Sequence, residues 1–149
     1  MSDSPDPFDL LRFVRAQDRT FDDAWSELTA GRKRTHWIWF VFPQMRGLGM
    51  SSMSQRYGIV SLAEARAYLA HPVLGERLHR CVGAMVAHAD LPASAVLGEL
   101  DAMKFRSCLT LFREAAGPGS IFDDGLAAFF GGQPDGETLE LLARTRVRK

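Results

Sequence analysis

Between Leu28 and Ala63 the chain carries five cationic side chains, Arg32, Lys33, Arg34, Arg46 and Arg56, and not one carboxylate. The imbalance is local, because 18 Asp and Glu offset 18 Lys and Arg over the 149 residues. The same window holds His36, Trp37, Trp39, Gln44, Gly47, Gly49 and the serines Ser51, Ser52, Ser54 and Ser61. A positive local field, hydrogen-bond donors on a flexible backbone and flat aromatic surfaces suit an anionic ligand with a planar ring, such as a nucleotide or phosphate ester. Candidate binding residues are Arg34, Trp37, Trp39, Gln44, Arg46, Gly47, Gly49 and Ser51. Arg46 and the Gly47–Gly49 amides would hold phosphate, and Trp37 or Trp39 would stack on a ring. A plainer reading stands beside this one: cations are common where a helix has just ended, and tryptophans at this spacing pack cores more often than they line pockets.

Asp101, Lys104 and Ser107 fall at i, i+3 and i+6 along one flank of a helix whose other side is apolar. That flank would place Lys104 and Ser107 over the same pocket, with Asp101 as the nearest acid. As a surface ion pair it would contribute only roughly a few tenths of a kcal/mol. His36 and Asp101 are the candidates for moving protons; His36 reads first as a half-buried structural histidine, and as a general base only with a partner in hydrogen-bond reach. Gly47-Leu48-Gly49 lacks the strand and third glycine of a dinucleotide fingerprint and the lysine–serine ending of a P-loop. Its glycines argue for positive φ or a close approach. His71, His79, His88, Cys81 and Cys108 form no metal-binding spacing, so no metal and no cofactor is expected. No nucleophile elbow or carboxylate pair of obvious purpose is present.

A zero charge total argues against a general nucleic-acid or membrane-surface binder. The N-terminal residues are acidic and proline-rich, unlike a secretory signal. The longest apolar run, Trp37 to Phe42, has six residues against the roughly 20 of a membrane helix. With both cysteines read as buried reduced thiols, a cytoplasmic protein is expected.

Helical periodicity supplies the frame for these residues. After an arm over residues 1–7, the spacing predicts a helix over 8–17 and a second one capped by Thr20 and ended by Gly31. Thr35–Phe42 is ambiguous by periodicity, but no partner strand exists elsewhere, so it reads as a helix capped by Thr35 and stopped by Pro43. A loop over 44–54 follows. Ser61 with Glu64 forms a capping box for a helix to Ala70, and Pro72 opens a longer one to Ala89. A short turn near 93–97 precedes helices capped by Asp101, Ser120 and Asp135. The expected fold is an all-α, compact single-domain bundle of about seven or eight short helices spanning 1–149.

The string from Gly31 to Gln44, with H-W-I-W-F-V-F-P-Q at its centre, then Gly47-Leu48-Gly49 and Ser51, resembles the signature of the bacterial domain-of-unknown-function family numbered 1810. The likeness extends to Ala16-Gln17, Tyr57-Gly58-Ile59, His71-Pro72, Lys104 with Ser107, and Phe129-Phe130-Gly131-Gly132. It implies a compact all-helical fold and supplies no activity. The label "calpastatin" carried by some members does not fit, because that inhibitor is intrinsically disordered and this composition belongs to a packed domain. A more distant, thematic likeness is to the NADAR proteins, small helical domains associated with NAD and ADP-ribose chemistry, whose catalytic residues cannot be placed on this chain.

Two functions are expected from these readings. One is a polar pocket near Arg34–Ser54 for a nucleotide-like or phosphorylated small molecule, with hydrolysis of an N-glycosidic or ADP-ribosyl bond as its enzymatic form. The other is a non-catalytic protein-interaction module with a basic edge. Convergence of His36, Gln44, Arg46 and Lys104 on one concave surface favours the first, and scatter over separate faces excludes it.

Overall fold

Nothing in the stretch Asp18-Arg19-Thr20 stops a helix, and a computed structural model describing residues 6–147 runs α1 unbroken from Leu11 to Ala30. The expected break at Thr20 is absent because its hydroxyl donates to the Ala16 carbonyl at 2.8 Å, satisfied inside the helix instead of capping a new one. The cap lies upstream. The Asp6 carboxylate accepts the Leu10 and Leu11 N–H groups at 2.8 and 3.0 Å, where an acid also favours the helix dipole. Residues 1–5 of the expected arm lie outside the described residues. Gly31 closes α1 at φ 80°, a left-handed conformation that glycine reaches without strain.

Eight further helices follow among the described residues: α2 (Ile38–Val41), α3 (Ser52–Arg56), α4 (Leu62–Ala70), α5 (Leu74–Val86), α6 (Ala93–Leu97), α7 (Glu99–Ala116), α8 (Ile121–Phe130) and α9 (Gly136–Val147). The ambiguous aromatic run is helical, though shorter than expected, and Thr35 does not cap it; its hydroxyl donates to Glu27. α3 occupies part of the stretch read as loop, with Ser51 Oγ accepting the Ser54 N–H at 3.1 Å. The Ser61 cap of α4 is present, its Oγ accepting the Glu64 N–H at 3.1 Å. Asp101 sits in the first turn of α7 and not at its cap, which Gly98 takes at φ 87°. Ser120 precedes α8, but its side chain makes no capping bond. No described helix is long and apolar enough to cross a membrane.

α7 is the central element, packed against α4, α6, α8, α9 and α2. An aromatic chain crosses the core from α1 to α8. Phe13 meets Tyr68 edge-on at 5.2 Å between ring centroids, Tyr68 meets Phe112 at 5.2 Å, and Phe112 meets Phe122 at 5.7 Å. One buried amide ties this core to the aromatic run: Gln17 Nε2 donates to the Phe40 carbonyl at 2.6 Å and to the Tyr68 hydroxyl at 2.9 Å. Losing either partner would leave a buried polar group unsatisfied, which holds α1, α2 and α4 in one register.

Candidate functional site

The segment Gln44–Ile59 leaves the core and returns beside its own starting point. Arg46 N–H donates to the Ile59 carbonyl at 2.9 Å, and Ile59 N–H donates to the Gln44 carbonyl at 2.8 Å, a parallel bridge that closes the loop. Gly58 permits this closure. A Cβ there would stand 2.6 Å from Arg46 Cβ and 2.7 Å from both Arg46 Cα and the Ser54 carbonyl oxygen, too close for any other residue without moving backbone. Arg12 on α1 then clamps the returning strand of chain. Its guanidinium donates to the Arg56 carbonyl at 2.9 Å, the Gly58 carbonyl at 3.0 Å and the buried Glu64 carboxylate at 2.9 Å.

This loop forms one wall of a cleft of about 430 Å³. The N-terminal half of α7 forms another, with Leu100, Met103, Lys104 and Ser107 at i, i+3, i+4 and i+7 on the face opposite Phe105. The start of α9 contributes Asp135 and Glu137. Lys104 Nζ lies 4.9 Å from the centroid of the Trp39 ring, in cation–π range, and 3.2 Å from Asp101 Oδ1.

Six of the expected binding residues line this cleft: Trp39, Gln44, Gly49, Ser51, Lys104 and Ser107. Arg34, Trp37, Arg46 and Gly47 do not. Trp37 is fully buried, and its indole N–H donates to Glu27 at 2.9 Å, so it has no face to offer a ligand. Arg46 is exposed away from the cleft, with its backbone packed on Gly58. Gly47 takes φ 109° beside Leu141 and shapes the turn. Arg34 gives its N–H to Glu27 at 2.7 Å. Of the candidate proton carriers, His36 is exposed and off the cleft, and Asp101 is held between Lys33 at 2.8 Å and Lys104 at 3.2 Å. The four test residues therefore neither all converge nor all scatter: Gln44 and Lys104 meet, and His36 and Arg46 stand apart.

None of the five cations between Leu28 and Ala63 lines the cleft. Its charges come from later helices, Lys104 and Arg106 against Asp135 and Glu137. Arg106 donates to the Gln133 carbonyl at 2.9 Å, fastening the α8–α9 connection to α7, and Asp135 Oδ2 accepts from the Thr138 N–H at 3.1 Å and the Ser107 hydroxyl at 3.1 Å, fastening the start of α9 to α7. Sequence reasoning missed Arg106, Asp135 and Glu137 as cleft residues, along with Tyr57, Met50, Leu100 and Met103. A signal was available for the last two, since they lie outside the apolar stripe of α7 formed by Phe105, Cys108 and Phe112.

Neither thiol offers a nucleophile. Burial pushes Cys81 up to about 12 and Cys108 well above its ordinary range, so both stay protonated near neutral pH. No histidine lines the cleft. No cluster of three or more His, Cys, Asp or Glu that could hold a metal ion occurs among the described residues.

Residues 7–142 match the family model described as a protein of unknown function, DUF1810. The chain belongs to the DUF1810 family. It is also similar to the conserved hypothetical protein Rv1873 from Mycobacterium tuberculosis, whose crystal structure has 48% sequence identity over 93% of this chain and 99% of that one, with a TM-score of 0.90. No curated protein matches. The aromatic string that carries the DUF1810 resemblance divides by location. Trp37, Ile38, Phe40, Val41 and Phe42 are core, while Trp39 and Gln44 line the cleft.

Proposed function

We propose that this protein binds a nucleotide-like small molecule in the cleft between α7 and the Gln44–Ile59 loop. The observation that carries the reading is Trp39, which stands apart from its buried neighbours and lines the cleft with the Lys104 ammonium 4.9 Å from its ring centroid. The cleft volume of about 430 Å³ lies within the roughly 300–1,000 Å³ typical of small-molecule sites. A planar ring would pack on Trp39. The Gln44 amide, the Ser51 hydroxyl and the Glu137 carboxylate suit sugar hydroxyls, and Lys104 with Arg106 suits an acidic group. Two cations facing two carboxylates favour a ligand with one acidic group and several hydroxyls, such as a nucleoside monophosphate, over a polyphosphate.

Hydrolysis of a glycosidic or ADP-ribosyl bond would need an acid or base in reach of the ligand. With His36 and Asp101 off the cleft and Asp135 fastening α9, Glu137 is the carboxylate left for that role. Binding without chemistry is therefore the form the geometry favours. A thermal-shift screen against AMP, NAD, ADP-ribose and sugar phosphates tests it, because a ligand at 100 times its Kd stabilises by about 2.7 kcal/mol. AMP is expected to raise the melting temperature of the native chain and to lose that effect in Lys104→Gln. Absence of a shift with all four ligand classes overturns the reading.

A further inference from the structure

We infer that the ligand is amphiphilic: beside its planar ring and acidic group it carries an apolar substituent that lies on the rim of the cleft. The inference rests on the reading of the cleft as a small-molecule site and adds the chemical class of the ligand. Among the large hydrophobic side chains exposed in the described residues, three stand apart, Met50 at 91%, Leu100 at 75% and Met103 at 68%, while Leu11, Val60, Val73 and Leu91 do not exceed 44%. All three line the cleft, and none of the other four does. They come from two elements, Met50 from the loop and Leu100 with Met103 from adjacent turns of α7.

Single exposed hydrophobics are ordinary on a protein surface, but their gathering around one concavity marks a surface that binds. Two of the three are methionines, unbranched and able to follow the shape of what they cover. The same face of α7 continues from Leu100 and Met103 into Lys104 and Ser107, which places these two apolar side chains within about one helical turn of the cation. A purely polar nucleotide seated at Trp39 and Lys104 would leave that patch in water. An aromatic anion bearing an alkyl or aryl arm would cover it and leave its acidic group at Lys104.

The test compares 1-anilinonaphthalene-8-sulfonate, a fluorescent aromatic anion with an aryl arm, with AMP. Each is titrated into the native chain and into the combined variant Met50→Ser, Leu100→Ser, Met103→Ser. Because all three side chains stand mostly in water, the variant is expected to keep its cooperative melting, and Leu100→Ser alone serves as the second variant. The expected result is saturable binding of one dye per native chain, displaced by AMP. Dye affinity should fall at least about tenfold in the combined variant and about threefold in Leu100→Ser, with less than a roughly twofold change for AMP. Unchanged dye affinity in both variants overturns the inference, as does dye that AMP does not displace. If AMP binds the native chain and the dye does not, the apolar arm is wrong and the cleft reading stands. If neither binds, the cleft reading itself falls. A native oligomer that becomes monomeric in the variant would make the rim a self-association surface, which also overturns the inference.

Discussion

Glu27 lies one residue outside the acid-free window and supplies the carboxylate that the window lacks. It accepts the Arg34 N–H at 2.7 Å, the Thr35 N–H at 3.0 Å, the Thr35 hydroxyl at 2.7 Å and the Trp37 indole N–H at 2.9 Å. Burial acts to raise its pKa, but these bonds from backbone and side chains outweigh burial and hold it at about 2, against an ordinary 4.5. A carboxylate depressed in the folded state stabilises fully above its unfolded pKa, and that contribution drains away as pH falls toward the folded one. Urea unfolding of the native chain and Glu27→Gln is expected to show a stability gap that is constant above about pH 4.5 and narrows steadily toward pH 2. A gap independent of pH would mean that Glu27 is not held ionised by these donors. Trp37 and Trp39 illustrate what the sequence does and does not disclose at this scale. They are two residues apart in the same apolar run, yet Trp37 is buried with its indole N–H on Glu27 and Trp39 lines the cleft, a difference the apolar pattern does not show.

Elements whose ends carry their own signals were legible. Gly31 at the end of α1, the Ser61 cap of α4 and Asp135 before α9 each act locally, within a few residues of the end they define. The union of two expected helices into α1 was not legible, because a threonine that caps a helix and one that bonds back to the preceding turn look alike in sequence. Residues 44–54 were read as a loop with positive φ or a close approach at Gly47 and Gly49; Gly47 does take φ 109°, but the backbone contact that excludes a side chain is at Gly58. Such contacts join residues distant in sequence and leave no periodic trace. The Arg12 clamp is of the same kind, joining α1 to the loop and to Glu64 on α4 across 44 to 52 residues. Arg12→Met strands the Glu64 carboxylate, whose side chain is 2% exposed, and is expected to cost about 3–5 kcal/mol in urea unfolding. Adding Glu64→Gln is expected to recover part of that loss. Faster hydrogen exchange at the Arg46 and Ile59 amides in Arg12→Met would show that the loop has loosened, and unchanged exchange there would show that the clamp does not hold it.

At the scale of the whole molecule, the local excess of cations does not carry over into the cleft. Of the five cations between Leu28 and Ala63, Lys33 pairs with Asp101 and lies over Trp37, Arg56 lies over Tyr57, and none lines the cleft. The cleft has a mixed lining drawn from the loop, α7 and α9, parts of the chain that only the fold brings together. The all-α architecture followed from helical spacing over nearly the full length, and the aromatic string located one wall of the cleft. The α7 flank bearing Lys104 and Ser107 was expected over the same pocket and does line the cleft, whereas the wall at α9 could not be read, because nothing local links Gln44 to Glu137. The proposed site rests on the Trp39 ring and not on the cations of the window around it. Isothermal titration of AMP into the native chain, Trp39→Leu and Arg46→Ala tests it most directly. The expected result is binding to the native chain and to Arg46→Ala with equal affinity, and a loss of at least about fivefold in Trp39→Leu, in line with the roughly 1–3 kcal/mol of an aromatic stack on a base. Equal binding by Trp39→Leu, or a loss in Arg46→Ala as large as the loss in Trp39→Leu, would contradict it.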